Sequence, residues 1–559
     1  MDIEKRIKTL IARAIKESAI SKRLKEIPEL KLDCPRDKRF GELSTNIAML
    51  LARQMNASPV EIAQQIQTVL NKILQSSDLF PAIEKIEVKG AGFINFFLSK
   101  VCLHEVLLEI KRKGSNFGRL KVGKAEKVHI EFVSANPTGP LNVAHGRQAA
   151  FGDTLANILS FAGYKVSREY YLNDEGVQID TLGESLRAKY LGLLGIDVQF
   201  PDAGYRGKYI DELAEELVQK YGPKFVKNWQ KKLSFFSQFA YLEILKKIKE
   251  DLSAFGVRFD CWLSQKQLNK SGKIDQALTF LKKKGFLYKK EGAWWLASTR
   301  FGDDKDRVVI KSNSNLTYIA PDIAYHQTKF RRRFTRLINV WGPDHHGYIL
   351  RLKAAISALG YEAKNLKVLI VQLVSLVEAD KVIPMSTRAG QYVSLDDITR
   401  AVGKDAARFF FLMRNRDSHL RFDLELAKKQ SLENPVYYIQ YAHARLLNIL
   451  KFAKTNSEKL KLQKKEDLSL LNKAEELNLI QILRKFPSII ESCAQALEPH
   501  RVTTYLQDLA KSLHHYYEKH RVVTEDLRLT CARLVLIDAV RIVLDNGLRL
   551  LTISAPEKM

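Results

Sequence analysis

The sequence predicts a multidomain α/β protein with a small N-terminal α/β module (residues 1–112), a middle domain built on a parallel sheet (113–425) and an all-α C-terminal domain (426–559). The first observation is the length of 559 residues, which at roughly 150 residues per domain amounts to three or four folding units. The second is the alternation of strand-like and helix-like patterns in the middle domain. The third is the near absence of glycine after about residue 434, where only Gly547 remains and the apolar residues follow helical spacing.

The charge balance is strongly basic. Ninety lysine and arginine residues against 63 aspartate and glutamate residues leave a formal net charge of +27. The hydrophobic fraction of 46% is ordinary for globular proteins, which excludes intrinsic disorder over most of the length. Such an excess of positive charge on a folded chain indicates a polyanionic partner, most simply nucleic acid. The alternative is a basic surface that binds nothing.

Cysteine usage and hydropathy predict a cytoplasmic protein with no membrane partner. The five cysteines are scattered and never spaced as CxxC, so neither a disulfide framework nor a zinc site is expected, and a reducing compartment fits. The N-terminus is charged and lacks an apolar signal region. The longest apolar stretch, Val368 to Val377, has only the length of a strand and is interrupted by Gln372 and Ser375.

The N-terminal module carries one clear helix signal and two strand signals. The sequence Ser58-Pro59-Val60-Glu61 has the form of a capping box with proline at the first helical position, and it predicts a helix that runs to about Leu74. The segments IEKIEVKG and GFINFFLS then read as two strands with Gly90 and Gly92 in the turn between them. The alternative for this region is a generic α/β appendage.

The middle domain is predicted from four strands and the helix that follows the first of them. The strand candidates are apolar and several read as buried on both faces: VHIEFV (128–133), KVSREYYL (165–172), RLINVW (336–341) and KVLIVQLVSL (367–376). The first helix is expected from Ala144 to Phe161. Roughly 160 residues separate the second and third strands, far more than a simple crossover needs. An insertion is therefore expected at about 180–315, with charged helices and a Trp294-Trp295 strand near its end.

The turn after the first strand is the best candidate for a phosphate site. A buried strand runs into a turn containing Pro137, Gly139 and Pro140, and a helix begins near Val143. Free backbone N–H groups and the positive end of the helix then lie at the carboxyl edge of a parallel sheet, where phosphates bind for electrostatic reasons. His145, just inside this helix, can donate a hydrogen bond to phosphate oxygens during nucleotidyl transfer, or it can simply cap the helix.

The segment SANPTGPLNVAHGRQAAFGD resembles the first signature of class I aminoacyl-tRNA synthetases, and specifically of the arginyl-tRNA synthetase family. The resemblance continues in order along the chain, through FGELSTNIAMLLAR and GAGFINFFLS, TYIAPDIAYHQTKF, VWGPDHHGYILRLKAA and PMSTRAGQYVSL, to NPVYYIQYAHAR and the terminal GLRLLTISAPEKM. It implies a Rossmann-like catalytic domain and an anticodon-binding helical bundle. It also implies L-arginine, tRNA(Arg) and ATP with Mg²⁺ as substrates, no protein-bound metal, and a monomer.

The resemblance assigns the ATP site to two signature segments. The implied catalytic residues are His145, Asn142, Ser386 and Arg388, and the implied ATP contacts are Pro140, Asn142, Ala144, His145, Gly146, Met385, Ser386 and Thr387. Two departures stand out. The family usually has histidine where this chain has Asn142 and glycine where it has Ala144. The second signature lacks both usual lysines, and Arg388 and Lys381 are the nearest cations in sequence.

The resemblance also assigns an arginine pocket. A planar guanidinium needs carboxylates placed for forked, charge-assisted hydrogen bonds. The implied arginine-binding residues are Glu131, Ser134, Asn136, Tyr318, Asp322 and His345. Without the family context, Asp322 would read as a helix N-cap. Gln265 lies where relatives often have an acid, so one guanidinium contact is expected to be neutral. Metal binding by Asp344-His345-His346 is not expected, because no third ligand follows at a useful spacing.

For RNA binding, the C-terminal bundle offers Tyr437, Tyr441 and Arg445 on one helix. Aromatic rings and a guanidinium suit stacking on unpaired bases, whereas the four-residue spacing of the two tyrosines also fits core packing. The run His514-His515-Tyr516-Tyr517 poses the same two alternatives. The implied activity is ligation of arginine to tRNA. The alternatives are a catalytically impaired tRNA-binding paralogue and a class I synthetase for another amino acid.

Overall fold

The structure is a computed structural model that describes residues 3–24, 26–33, 35, 37–379, 381–383, 393–455 and 467–559. It divides into two compact units. The first unit comprises residues 1–117, 445–486 and 509–544, and the second comprises residues 118–444, 487–508 and 545–559. None of the helices in the described part of the chain is long and apolar enough to cross a membrane.

The N-terminal part of the first unit is a three-stranded antiparallel sheet with helices. Its elements are α1 (Ile3–Glu17), β1 (Leu43–Thr45), α2 (Ile47–Met55), α3 (Pro59–Gln75), β2 (Ile83–Lys89), β3 (Phe93–Leu98) and α4 (Lys100–Lys113). The strand order is β1-β3-β2. The predicted helix and both predicted strands are confirmed. Helix α3 begins where the Ser58 hydroxyl accepts a hydrogen bond from the Glu61 amide at 3.5 Å.

The second unit is built on a five-stranded parallel sheet. Its first elements are β4 (Lys127–Glu131), α5 (Val143–Phe161), β5 (Lys165–Leu172), α6 (Val177–Leu193), α7 (Lys208–Tyr221), α8 (Leu233–Ala254), β6 (Cys261–Ser264), α9 (Gln265–Lys270), α10 (Lys273–Lys283), β7 (Leu287–Lys290), β8 (Ala293–Leu296) and β9 (Arg307–Ile310). They are followed by α11 (Ile319–Arg331), β10 (Arg336–Trp341), α12 (Ile349–Ala358), β11 (Leu366–Ile370), β12 (Val374–Glu378), β13 (Lys381–Val382), α13 (Leu395–Val402), α14 (Lys404–Leu412), β14 (Leu420–Asp423) and α15 (Leu424–Lys428).

The strand order of the parallel sheet is β11-β10-β4-β5-β6, which confirms the predicted α/β class. Two details differ from the sequence analysis. Strand β6 lies inside the predicted insertion yet joins the edge of the sheet, and its four residues are too few to give a periodic signal. The predicted strand 367–376 is broken after β11, and β12 belongs to a separate sheet of order β13-β12-β14. The predicted Trp294-Trp295 strand is β8, the middle strand of the antiparallel sheet β7-β8-β9.

All regular elements described after residue 434 are helical, as predicted. They are α16 (Pro435–Thr455), α17 (Ala474–Arg484), α18 (Phe486–Ala496), α19 (His500–Lys519) and α20 (Leu527–Leu550). The predicted apolar stripe of α19 is fully buried: Leu506, Leu509, Ala510 and Leu513 have no exposed surface. Residues 451–455 form the end of α16, and residues 456–466 lie outside the described residues.

Close packing fixes helix α5 against the sheet, and glycine makes it possible. A Cβ atom on Gly152 would lie 2.3 Å from the Phe132 ring, and one on Gly146 would lie 2.8 Å from the Leu395 side chain. The buried guanidinium of Arg147 completes the anchoring by donating hydrogen bonds to four backbone carbonyls, those of Gln372, Leu373, Asn415 and Ser418. Two of these bonds, to Gln372 and Leu373, hold the short segment that connects β11 to β12.

Candidate active site

A cavity of about 680 Å³ lies at the carboxyl ends of β4, β5 and β10. The starts of two helices, α5 and α11, complete its wall. Ligands of open parallel sheets bind at this edge. The cavity brings together seven of the predicted site residues: Glu131, Ser134, Asn136, His145, Tyr318, Asp322 and His345.

Four predicted ATP contacts in the first signature do not line this cavity. Asn142, Ala144 and Gly146 belong to the start of helix α5, and Gly146 packs inward against Leu395. Pro140 lines a separate cavity of about 280 Å³ between α7 and α8. Met385, Ser386, Thr387 and Arg388, predicted in the second signature, lie outside the described residues.

The backbone leaves β4 through a strained turn. Val133 and Ser134 both have left-handed φ values, +67° and +39°, and the Ser134 amide donates to the Phe132 carbonyl at 2.9 Å, which closes a γ-turn. Such a conformation is costly for a β-branched residue and concentrates at functional sites. It directs the Ser134 hydroxyl, which donates to Glu131 Oε1 at 3.2 Å and accepts from the Tyr171 amide at 3.1 Å.

His145 is fixed by reciprocal capping with Asn142. The His145 amide donates to Asn142 Oδ1 at 3.1 Å, and the Asn142 amide donates to His145 Nδ1 at 3.2 Å. His145 therefore takes part in capping the helix, and it also lines the cavity. Burial lowers the pKa of His145 to about 4, against the opposing charge of Asp344. The ring is neutral at pH 7, and with Nδ1 accepting, Nε2 carries the proton and is the available donor.

Asp322 is a half-buried carboxylate in the first turn of α11. The helix begins at Ile319, so Asp322 is not the N-cap that the isolated pattern suggests. Its Oδ2 accepts a hydrogen bond from the Tyr348 hydroxyl at 2.6 Å. Burial raises the pKa of Asp322 to about 6, although the Tyr348 hydrogen bond opposes this shift. Within the described residues, no lysine or arginine forms an ion pair with it.

Glu131, in contrast, has its own cation. The fully buried ammonium of Lys329 lies 2.6 Å from Glu131 Oε2. Lys329 also donates to Asn339 Oδ1 at 3.2 Å, and Asn339 in turn contacts His326 Nε2 at 2.9 Å. Of the two carboxylates, Asp322 is therefore the one without an ion-pair partner among the described residues.

Neutral polar groups fill much of the remaining wall. Gln265 accepts from the Tyr171 hydroxyl at 3.0 Å, so the position expected to be neutral does lie in the cavity. Asn136 donates to Gln178 Oε1 at 2.8 Å. An amide at Gln265 can accept one hydrogen bond from a guanidinium but supplies no charge.

Tyr318 and His345 mark the open side of the cavity. Tyr318 is 81% exposed although it contributes to the lining. The His345 ring lies 5.7 Å from the Trp341 ring, and its Nε2 is 3.4 Å from Asp344. In the described ranges, no group of three or more His, Cys, Asp and Glu side chains is placed to hold a metal ion.

Sequence reasoning missed several residues of the site, chiefly Lys329, Tyr348, Tyr171 and Gln178. One signal could have identified Lys329: it lies seven residues after Asp322, so both lie on one face of the same helix. Tyr348, Tyr171 and Gln178 come from three other segments, and no local pattern in the sequence distinguishes them.

The predicted RNA-binding residues are accessible to different degrees. In the second unit, Tyr437 and Tyr441 are half-buried and stack on each other, with ring centroids 6.5 Å apart and planes 7° from parallel. In the first unit, Arg445 is exposed and lies over Tyr517, 4.6 Å from its ring centroid. Tyr516 is fully buried in the core. The His514–Tyr517 run thus divides between core packing and surface.

Comparison with protein families gives matches along almost the whole chain. Residues 106–437 match the model for "tRNA synthetases class I (R), catalytic domain". Residues 5–98 match the "Arginyl tRNA synthetase N terminal domain", and residues 439–559 match the "DALR anticodon binding domain". The parallel sheet, the cavity at its carboxyl edge and the catalytic-domain match define a class I aminoacyl-tRNA synthetase.

Similar proteins narrow the class to one family. The arginine–tRNA ligase of Geobacillus kaustophilus is 46% identical over 567 aligned positions that cover both chains completely. That of Carboxydothermus hydrogenoformans is 45% identical over 530 positions, covering 95% of this chain and 94% of the relative. The solved arginyl-tRNA synthetase of Thermus thermophilus, 23% identical, shares the fold with a TM-score of 0.77 over 99% of this chain and 100% of the other. The chain belongs to the arginyl-tRNA synthetase family.

Proposed function

We propose that the protein ligates L-arginine to tRNA(Arg) in two steps. The arginine carboxylate attacks the α-phosphorus of ATP, which forms arginyl-adenylate and releases pyrophosphate. The 2′-hydroxyl of the tRNA 3′-terminal ribose then attacks the activated carbonyl and releases AMP. No protein nucleophile is needed, so the enzyme contributes in-line positioning and charge stabilisation. The observation that carries the proposal is Asp322, a half-buried carboxylate without an ion-pair partner among the described residues, in the cavity that His145 also lines.

The cavity suits arginine from one end to the other. Asp322 would receive the guanidinium through charge-assisted hydrogen bonds, and Gln265 would accept one more from a neutral amide. Glu131, Ser134 and Asn136 supply polar groups for the α-amino and carboxylate end. Tyr318 and His345 lie at the mouth, where they would contact the bound substrates.

ATP would bind at the start of helix α5. The neutral His145 ring offers Nε2–H to phosphate oxygens as charge develops, and the helix N-terminus adds its dipole. The side-chain oxygen of Asn142 accepts the helix-capping hydrogen bond from the His145 amide, and its side-chain N–H₂ group is able to donate to phosphate. In the described ranges no metal cage forms, so we propose that Mg²⁺ enters with the ATP phosphates, coordinated mainly by their oxygens and water.

The other domains would bind tRNA. We assign residues 1–112 to the tRNA elbow and residues 426–559 to the anticodon, with the catalytic domain, including its insertion, at 113–425. Tyr437, Tyr441 and Arg445 are the proposed stacking residues of the anticodon region. The net charge of +27 supports a nucleic-acid partner. A cytoplasmic monomer completes the proposal.

A second candidate is a tRNA-binding paralogue with impaired catalysis. Asn142 and Ala144 favour it, because they replace the histidine and glycine usual in the family's first signature. An asparagine can donate to phosphate but cannot carry positive charge. The two candidates differ in one measurable respect, the transfer of arginine to RNA.

Aminoacylation of purified tRNA(Arg) with labelled arginine distinguishes them. The full chain with ATP and Mg²⁺ is expected to incorporate arginine, while lysine and glutamine are neither incorporated nor effective as competitors. Asn142→His serves as the matched variant, since it restores the usual residue and loses the amide cap at a cost of about 1 kcal/mol. Tight tRNA binding by an inert wild type, with activity restored in Asn142→His, would establish the paralogue instead.

A further inference from the structure

Two buried glutamates lie side by side on neighbouring strands, each with its own cation. Glu131 of β4 and Glu169 of β5 are register partners. Both counter-ions come from the C-terminal end of α11, three residues apart: Lys329 of the helix lies 2.6 Å from Glu131, and Arg332, the residue that follows the helix, donates to Glu169 at 2.6 and 3.1 Å. The pairs differ in one respect, because Glu131 lines the cavity and Glu169 does not.

Lys329 has no freedom to move. Its side chain has no exposed surface, its ammonium contacts Glu131 and Asn339, and it lies 4.0 Å from the centroid of the Tyr325 ring. With Ser134 donating to the other carboxylate oxygen, both oxygens of Glu131 are held in place. A carboxylate fixed in this way is pre-organised for a ligand rather than free to rotate.

The same network reaches the helical turn that carries Asp322. Asn339 contacts His326 Nε2 at 2.9 Å, and His326 Nδ1 lies 2.9 Å from the Asp322 carbonyl. Burial, together with the charge of Lys329, lowers the pKa of His326 well below its ordinary value, so the ring is neutral. Nδ1–H then donates to the Asp322 carbonyl and Nε2 accepts from Asn339. Hydrogen bonds thus link Glu131 to the helical turn that carries Asp322.

We propose that Lys329 is a positioning residue of the amino-acid site, which fixes the Glu131 carboxylate to receive the α-ammonium group of the substrate. Lys329 itself does not line the cavity and acts through Glu131. The inference rests on the proposed function, in which Glu131 meets the polar end of arginine. It makes Lys329 a determinant of specificity against guanidino acids that lack the α-amino group.

The test compares the binding of arginine and of 5-guanidinopentanoate, which is arginine without its α-amino group, by calorimetry on the full chain. Wild type should bind arginine more tightly. In Lys329→Met the ratio of the two dissociation constants should shrink by about tenfold, because Glu131 is no longer held in place for its charge-assisted contact with the substrate ammonium. Arg332→Met is the control: it removes the partly exposed counter-ion of the neighbouring buried Glu169, at the end of the same helix, and should leave the ratio unchanged.

A purely structural role for Lys329 would give a different pattern. An unchanged ratio in a folded Lys329→Met, an equal loss in Arg332→Met, or a wild type that does not distinguish the two ligands would each overturn the inference. If Lys329→Met does not fold, Asn339→Ala decides, since it keeps both charges and removes the hydrogen bonds of Asn339 to Lys329 and to His326. A ratio smaller by about threefold is expected, and no change overturns the inference.

The inference and the proposed function can fail separately. A wild type that binds arginine with the expected ratio but transfers none to tRNA would contradict the proposed function and leave the role of Lys329 standing. A wild type that charges tRNA while Lys329→Met keeps the ratio would do the reverse. A wild type that binds neither ligand would overturn both.

Discussion

At the residue scale, the protonation of Asp322 decides when the pocket attracts a cation. Its pKa of about 6 lies close to the pH at which enzymes work. The carboxylate form is the one that can receive a guanidinium, so a proton and the ligand compete for it. This competition applies within the proposed function and can be measured directly.

We expect the KM for arginine to rise as the pH falls through about 6, and to be nearly constant above pH 7. Tyr348→Phe should move the midpoint upward, because the Tyr348 hydroxyl stabilises the carboxylate. Steady-state aminoacylation from pH 5.5 to 8 measures both effects. Tyr288→Phe is the control, since it removes a similar hydrogen bond, to Asp306 at 2.8 Å, outside the cavity. A KM that stays flat down to pH 5.5 would contradict the assignment of Asp322.

Asp322 and Glu131 could be predicted from the sequence because each stands in a family segment at an element end. Tyr348 could not, and for Lys329 the only signal is its seven-residue spacing from Asp322. Their importance depends on which side chains meet across the cavity, and a lysine inside a helix ordinarily reads as exposed. The burial of Lys329 becomes evident only once the packing of α11 against β4 is known.

At the scale of single elements, helix α5 depends on glycine for its distance from the sheet. Gly152→Ala should destabilise the protein by about 1–3 kcal/mol, because the new methyl group would meet the Phe132 ring. Gly192→Ala in α6 is the matched control: a Cβ there meets nothing within 4 Å, and the change should stabilise by about 0.5 kcal/mol. Denaturant midpoints measure both. Equal effects of the two substitutions would show that α5 can shift freely.

The elements themselves were largely predictable. Strand β5 and strand β10 have the predicted bounds, and α5 begins one residue earlier than expected. The division of 367–376 between β11 and β12 was not predictable, since it depends on Arg147, more than 200 residues earlier, donating to the carbonyls of Gln372 and Leu373. The run is apolar on both sides of Gln372, and one polar residue within it does not distinguish a strand from two strands of different sheets.

At the scale of the whole molecule, one arginine joins four distant segments of the second unit. Arg408 has no exposed surface and donates to Asp153 at 2.7 Å, to the Leu551 carbonyl at 2.8 Å and to the Phe255 carbonyl at 3.1 Å. Removing it would take the nearest cation from the buried Asp153 carboxylate and leave the Leu551 and Phe255 carbonyls without this donor.

Arg408→Met should therefore lower the free energy of unfolding by about 3–5 kcal/mol. The control is Arg400→Met, which removes a surface ion pair. The Arg400 side chain pairs with Asp396 but is 73% exposed, so its loss should lower the free energy of unfolding by less than about 1 kcal/mol. Urea unfolding followed by circular dichroism gives both values. Comparable losses from the two variants would mean that the buried junction contributes no more than a surface pair.

The three-part organisation was predictable from length, periodicity and glycine distribution alone. The junction at Arg408 was not, because charge within α14 gives no indication that its partners lie in α5 and near the C-terminus. Long-range polar contacts of this kind leave no local trace in a single sequence.

The γ-turn at Val133 has a consequence for engineering heat resistance. Glycine at this position would adopt the positive φ without steric penalty. A design procedure that scores backbone strain would therefore favour Val133→Gly. Yet relaxing that bend would release the hydroxyl beside it from Glu131 and from Tyr171. At this single residue, a substitution that raises thermal stability is therefore expected to weaken the proposed binding of the amino acid by Glu131.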